Sequence, residues 1–191
     1  MIWLHIFTEE PSIKEVFDNI IPKIVPGLNF SIYPHQGKQD LEKGLKNTLP
    51  SISKMPGAKI LITRDQDNDN CIELKNYLNE IVKEKCSCDY KIRIVCRELE
   101  AWFLGDMLAI DDAYLRFNSQ QYKNKSEYRN VDNIVKPSQQ LLKIIPEYSK
   151  YESLPKIELA NRVSHFLTIE DNQSSSFQQT VSAIKLLSVP I

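Results

Sequence analysis

The feature that most constrains the fold is an alternation of short apolar runs with helical apolar patterns over the first hundred residues. Runs rich in β-branched and aromatic residues predict strands at residues 2–8, 28–34, 59–63 and 90–96. Between them, apolar residues recur at helical spacing in residues 12–24, 40–49 and 69–85. Strands that alternate with helices indicate βαβ units. We therefore expect an α/β fold with a mostly parallel four-stranded sheet flanked by helices.

Local signals refine these elements. Ser12 is expected to cap the first helix, and Pro50 is expected to end the second. A helix after the fourth strand carries Trp102 and Phe103 on its apolar side, where core packing is favoured over base stacking. Asp106 lies on the same side, so we expect it to need hydrogen-bond partners and to be structural.

The remaining residues have a different pattern. Residues 118–133 are polar and lack periodicity, which predicts an irregular segment, whereas residues 154–167 and 174–188 predict helices. We expect two parts: a core at residues 1–112 and a helical and irregular extension at residues 113–191 that packs on the core.

The chain of 191 residues has a net charge of −1, which excludes a global basic field that would draw the molecule to nucleic acid. Residues 113–151 nevertheless hold seven basic and three acidic side chains. That segment is either a solvated surface or a surface for a polyanion. No apolar run reaches the roughly 20 residues that span a bilayer, and the N-terminus does not resemble a signal peptide. We expect a cytoplasmic protein that has no membrane partner; its oligomeric state is left open.

Acidic side chains follow three of the predicted strands. They are Glu9 and Glu10 after the first strand, Asp65, Asp67 and Asp69 after the third, and Glu98 and Glu100 after the fourth. Because side chains two apart on a strand point the same way, Asp65 and Asp67 can converge, and Glu9 joins them if the first and third strands are neighbours. Such carboxylates can be tolerated if some are protonated, if basic residues pair with them, or if a hard cation lies between them.

A cation would have a chemical use here. Mg²⁺ takes oxygen ligands and works through one or two carboxylates plus substrate phosphates. Structural roles are the alternative: Asp69 can cap the next helix, and Glu98 and Glu100 can face the positive end of a helix dipole. Two residues apart on a helix, Glu98 and Glu100 cannot share a face, so we expect one of them to face the site.

At these acidic residues the chain resembles the Toprim domain, the βαβ metal-binding module of topoisomerases, primases and the overcoming-lysogenization-defect nucleases. More closely, it is similar to domain-of-unknown-function family 4276, a Toprim-related bacterial group. The segments that carry the resemblance are residues 8–12 (TEEPS), 37–41, the RDQDNDNC run at 64–71, RELEAWFLGD at 97–106, 148–150 and 172–177.

The resemblance implies a Toprim-like core with Glu9, Asp65 and Asp67 as ligands of Mg²⁺ or Mn²⁺. Glu10 stands where the Toprim pattern has glycine. Members of the group resemble partners of ATP-binding-cassette-type ATPases in bacterial phage defence, which implies such an ATPase as a partner.

The leading hypothesis is a Mg²⁺-dependent nuclease subunit that cleaves phosphodiesters of nucleic acid. In it, Glu9, Asp65 and Asp67 bind metal, and Glu100 completes a second metal site or orients water, with Glu98 as its substitute. Lys38 or Lys150 would neutralise phosphate charge. The alternative is a non-catalytic Toprim-fold module that docks on an ATPase.

Overall fold

The computed structural model describes residues 1–189 and contains one four-stranded sheet with the order β2-β1-β3-β4. Every neighbouring pair of strands is parallel. The strands are β1 (Trp3–Thr8), β2 (Asn29–Pro34), β3 (Ala58–Asp65) and β4 (Tyr90–Val95). The predicted α/β class is therefore confirmed, and all four predicted strands are present within a few residues of their expected bounds.

Glu9 was expected to reach the acids after the third strand only if the first and third strands are neighbours, and the strand order satisfies this condition. β1 pairs directly with β3, with Thr8 opposite Thr63. The residues that follow these two strands therefore leave the sheet side by side at its carboxyl edge. In open parallel sheets this is the edge where ligands bind.

Helices cover both faces of the sheet, as a parallel sheet requires. They are α1 (Pro11–Ile24), α2 (Lys38–Asn47), α3 (Leu49–Ile52), α4 (Cys71–Lys83), α5 (Glu100–Leu104), α6 (Met107–Ala113), α7 (Pro137–Ile144), α8 (Lys156–Ser164) and α9 (Ser175–Leu187). Helices α2, α3 and α4 pack on one face against Phe7, Ile60 and Ile62. The remaining helices share a larger core on the other face with Leu4 and Ile6.

Several helix ends differ from the predictions. Ser12 was expected to cap α1, but the capping position belongs to Glu10, and the Ser12 hydroxyl donates to its carboxylate over 3.1 Å. Pro11 explains the shift, because proline is well suited to the first turn of a helix. For the same reason Pro50 lies in the first turn of α3 and does not terminate the preceding helix. Asn70, not Asp69, caps α4 by accepting from two backbone amides.

The helix predicted after the fourth strand is broken into α5 and α6 at Gly105. Trp102 and Phe103 are fully buried, as expected of core residues. The carboxylate of Asp106 caps α6 and accepts hydrogen bonds from both the backbone amide and the hydroxyl of Thr168. These contacts are the structural role predicted for it.

Residues 113–189 pack against the larger core and do not form a detached lobe. Residues 118–133 contain only short 3₁₀ turns, in line with the irregular segment predicted there. Pro190 and Ile191, the end of the predicted extension, lie outside the described residues. Along residues 1–189, none of the helices combines the length and apolar character that crossing a bilayer demands.

Gly105 is a position where lack of a side chain matters. A Cβ there would lie 2.4 Å from Asn172 Oδ1, and the same asparagine donates to the Trp102 carbonyl. We expect Gly105→Ala to lower the free energy of unfolding by about 2 kcal/mol, since overpacked cores cost 1–3 kcal/mol. Urea denaturation measures this loss. Leu108→Ala, at an exposed neighbour, is the control; equal stability of Gly105→Ala and wild type would contradict the close approach.

Candidate functional site

The carboxyl edge of the sheet gathers acidic side chains from three strand ends. We use the term acidic edge for Glu9, Glu10, Asp65, Asp67, Asp69 and Glu100. Three of its members are almost inaccessible to solvent: Glu9 is 7% exposed, Asp65 6% and Glu100 0%. Buried carboxylates are rare unless they are paired, protonated or bound to a metal.

Glu9 and Asp65 are joined through the backbone. The Asp65 amide donates to Glu9 Oε2 over 3.2 Å, so β3 holds the side chain that follows β1. Asp65 in turn accepts a hydrogen bond of 3.3 Å from the Leu99 amide, just before α5. The last residue of β3 is therefore linked by hydrogen bonds to the residues that follow β1 and β4, the two strands beside it in the sheet.

Arg64 compensates part of this charge. Its side chain is buried and lies 3.1 Å from Glu42 Oε1, 3.7 Å from Asp69 Oδ2 and 3.8 Å from Glu9 Oε2. It leaves β3 one residue before Asp65, so the two side chains point to opposite sides of the strand. Arg64 therefore neutralises acids on one side of the edge only, namely Glu9 and Asp69.

Asp67 does not continue the alternation of β3. The strand ends at Asp65, and Asp67 adopts a left-handed backbone conformation with φ of 51°. Its carboxylate lies 2.9 Å from the ammonium of Lys38, which also approaches Asp69 at 3.5 Å. Asp65 and Asp67 thus have different charged partners, and the convergence expected from strand alternation does not extend beyond Asp65.

Lys156 is the cation on the other side of the edge. Its ammonium lies 3.1 and 3.3 Å from the two carboxylate oxygens of Glu10 and 3.6 Å from Glu100 Oε1. Both Glu100 oxygens are buried and lack a hydrogen-bond partner among the described residues. The Toprim pattern has glycine at the position of Glu10. The Glu10 backbone is extended, a conformation that any residue can adopt, and its carboxylate forms an ion pair with Lys156.

The protonation of these groups follows from their burial. Burial raises the pKa of Glu100 to about 7, against the opposing attraction of Lys156. Burial, then the carboxylates of Glu10 and Glu100, raise the pKa of Asp65 well above its usual range. Burial also raises the pKa of Glu9, although the Arg64 guanidinium opposes it. Burial alone would lower the pKa of Lys156, but its three acidic neighbours together raise it.

Among residues 1–189, the other predicted residues make no hydrogen bond or ion pair with the buried acids Glu9, Asp65 and Glu100. Glu98 accepts a hydrogen bond of 2.9 Å from the Ser138 amide at the start of α7, so of the pair Glu98 and Glu100 it is Glu100 that enters the acidic edge. Lys38 is engaged by Asp67 and Asp69. Lys150 is exposed and makes no ion pair with any of residues 1–189.

A cavity of about 370 Å³ opens beside the acidic edge. It is lined by Glu9, Glu10, Gln36, Gly37 and Lys156, with residues of the first turns of α1 and α8. Sequence reasoning identified the acids but missed Lys156 and Arg64. Lys156 lies about ninety residues beyond Asp65, and only the packing of α8 brings it there.

Two negative findings belong with this geometry. Within residues 1–189, no group of three or more histidine, cysteine, aspartate or glutamate side chains is arranged to hold a metal ion as the side chains stand. Comparisons with protein-family models, curated proteins and solved structures return no match to this chain.

The raised pKa of Glu100 predicts a particular dependence of stability on pH. Between its ordinary value of 4.5 and about 7, the folded carboxyl binds a proton that the unfolded carboxyl has released, so stability falls as pH rises through this window. Glu100→Gln removes this loss of stability, because glutamine has no proton to release as the pH rises. We expect it to be more stable than wild type at pH 8 by up to about 3 kcal/mol, at about 1.4 kcal/mol per pKa unit.

Urea denaturation in EDTA at pH 5 and pH 8 measures the difference. The exposed Glu84→Gln is the control for loss of one charge. The interpretation fails if Glu100→Gln is destabilised at pH 8 to the same extent as at pH 5.

Proposed function

We propose that this protein is a Toprim-like, divalent-cation-dependent phosphodiester hydrolase that acts on nucleic acid. Glu9 and Asp65 would hold Mg²⁺ or Mn²⁺ together with Asp67, whose carboxylate would first have to leave Lys38, and Glu100 would complete a second cation site or orient the attacking water. The assignment extends the resemblance to the Toprim-related family, and it concerns the acidic edge as a unit.

The observation that carries the proposal is that Glu9, Asp65 and Glu100, each from a different strand end, are buried at one edge of the sheet, where Glu9 also lines an open cavity. Each buried charge costs several kcal/mol unless it is compensated, and a bound cation would add to the compensation that Arg64 and Lys156 supply to these acids. Carboxylate oxygens are the donors that hard cations prefer.

The donor chemistry fits a hard cation. Both oxygens of Glu100 are buried without a hydrogen-bond donor among residues 1–189, so both have lone pairs that could coordinate a cation. When bound, Mg²⁺ would polarise a phosphoryl oxygen and favour the hydroxide form of a bound water. Lys156 already supplies one positive charge among these acids, so its ammonium must move aside for a cation to contact Glu10 or Glu100.

The residues of the chain have distinct tasks in this proposal. The Asp65 amide fixes the Glu9 carboxylate, and Arg64 restrains Glu9 from the other side. The cavity between α1 and α8 offers space for a phosphate group, with Lys156 on its wall. Lys38 could contact phosphate only after release from Asp67 and Asp69.

The partner part of the proposal is an ATP-binding-cassette-type ATPase in a bacterial defence system. The chain contains no Walker A motif, so ATP hydrolysis would belong to that partner. The same resemblance supports the second candidate, a docking module without catalysis. Lys156 favours it, because an internal cation can neutralise the acids permanently.

The double variant Asp65→Asn/Asp67→Asn tests the cation site. We expect wild type to gain thermal stability with Mn²⁺ and to cleave an oligonucleotide in Mn²⁺. We expect the variant to lose both, with cleavage at least about a hundredfold slower, as when electrostatic stabilisation of a transition state is removed. Differential scanning fluorimetry and gel assays measure the two effects.

Asp18→Asn/Asp89→Asn is the matched control, because it removes two carboxylates from surface ion pairs with Lys14 and Lys59. A wild type that shows neither metal response nor cleavage would reject the hydrolase and favour the docking module. Unchanged cleavage in Asp65→Asn/Asp67→Asn would reject the ligand assignment.

Lys156→Met tests whether the lysine and a cation compete. Without Lys156 the acids repel each other, so we expect a lower Tm in EDTA. We also expect Mn²⁺ affinity to rise about tenfold, or 1.4 kcal/mol, since no ammonium has to be displaced. Calorimetric titration measures the affinity, and Lys14→Met is the control at a surface pair. Weaker Mn²⁺ binding by Lys156→Met would contradict competition.

A further inference from the structure

The basic residues of the segment 113–151 share one property: all are exposed, and none forms an ion pair with any of residues 1–189. We call them the basic segment: Arg116, Lys123, Lys125, Arg129, Lys136, Lys143 and Lys150. Exposed lysines without an ion pair also occur elsewhere among residues 1–189, for example Lys46, Lys75 and Lys85, so what distinguishes the segment is its excess of seven basic over three acidic side chains.

The acids of the same segment do not neutralise it. Asp132 accepts hydrogen bonds from Ser174 and Ser176, which tie residues 131–133 to the start of α9. Glu147 accepts from the Arg116 backbone amide. Glu127, the third acid, is exposed, so the segment presents seven basic side chains and one acidic side chain to the surface, while Asp132 and Glu147 make internal contacts.

Helix α7 gives this charge an ordered surface. Pro137, Leu141 and Ile144 face the core. Lys136 lies at the N-cap position just before α7, Lys143 lies in its last turn, and both are exposed. Lysines at the two ends of one exposed helix suit contacts with separate phosphates of a polyanion.

The basic segment is connected to the acidic edge by one hydrogen bond and by a short stretch of sequence. At the start of α7, the Ser138 amide donates to Glu98, two residues before Glu100. At the other end, Lys150 precedes Lys156 by six residues, and Lys156 contacts Glu10 and Glu100. A nucleic-acid strand bound at the start of α7 would therefore lie near Glu98, two residues from the buried Glu100.

Two tyrosines stand among these cations. The Tyr122 ring already stacks on Phe117 with 5.4 Å between ring centroids and has Lys125 4.7 Å over it, whereas Tyr151 is half-exposed beside Lys150 and can accept a base. Aromatic rings set among cations are the usual means of holding unstacked bases.

We propose that the basic segment is the nucleic-acid-binding surface of this protein and that it guides a single strand to the acidic edge. The proposal rests on the proposed function, for which it specifies how the substrate is held. It assigns recognition to the phosphate backbone and to base stacking, so binding will be salt-dependent and nearly independent of sequence.

The test is binding of a fluorescein-labelled single-stranded oligonucleotide, measured by anisotropy at several salt concentrations in EDTA. The variant is Lys136→Gln/Lys143→Gln/Lys150→Gln. The matched control is Lys46→Gln/Lys75→Gln/Lys85→Gln, which removes the same charge from exposed positions on α2, on α4 and just after α4, the helices of the opposite sheet face. We expect the variant to bind at least about tenfold more weakly, and the control to bind as wild type does. The salt slope of the variant should be shallower by about 0.7 for each phosphate that it no longer neutralises.

Equal losses in the variant and the control, or no binding by wild type, would overturn the proposal. So would tighter binding of a duplex of the same sequence, or heparin as the better ligand. Because EDTA prevents cleavage, the result is separate from the hydrolase assignment. Binding without any Mn²⁺-dependent cleavage would reject the hydrolase and leave this surface standing, whereas cleavage that the variant does not slow would do the opposite.

Discussion

The structure depends on how it tolerates several buried carboxylates at one edge of a parallel sheet. Cations on both sides of the edge share that task. Arg64 and Lys38 neutralise Glu9, Asp67 and Asp69 on one side, and Lys156 neutralises Glu10 and Glu100 on the other. The hydrogen bond from the Asp65 amide to Glu9 joins the two sides. Loss of Arg64 or Lys156 would leave buried charge uncompensated, which costs more than the ion pairs contribute.

Much of this arrangement can be predicted from sequence, because its causes are local. Apolar runs determine the strands, and acids that directly follow strands must lie at the carboxyl edge of a parallel sheet. The neighbourhood of β1 and β3, which the sequence leaves conditional, is the one non-local fact that brings Glu9 to Asp65. Helix spacing predicted that only one of Glu98 and Glu100 would face the site; in the structure Glu98 precedes α5, and its hydrogen bond from Ser138 leaves Glu100 as the one at the edge.

The residues that escaped prediction have no local signal. Lys156 opens a helix in an ordinary polar context, and its importance arises from the packing of α8 against α1. Asp67 fails the alternation argument for a different reason: β3 ends two residues earlier, and the left-handed turn at Asp67 redirects its side chain toward Lys38. Strand alternation is reliable only while the backbone stays extended, which it does not at Asp67.

The position of Lys156 bears on the role of the C-terminal region. The predicted boundary after residue 112 separates Glu10, Asp65 and Glu100 from the lysine that compensates them. Trp102, which precedes the boundary, likewise donates to Ser176 and packs against Phe177. Charge compensation and core packing therefore both cross the boundary. A C-terminal region that supplies the missing charge is an integral part of the acidic edge, and any cation that binds there must do so in competition with it.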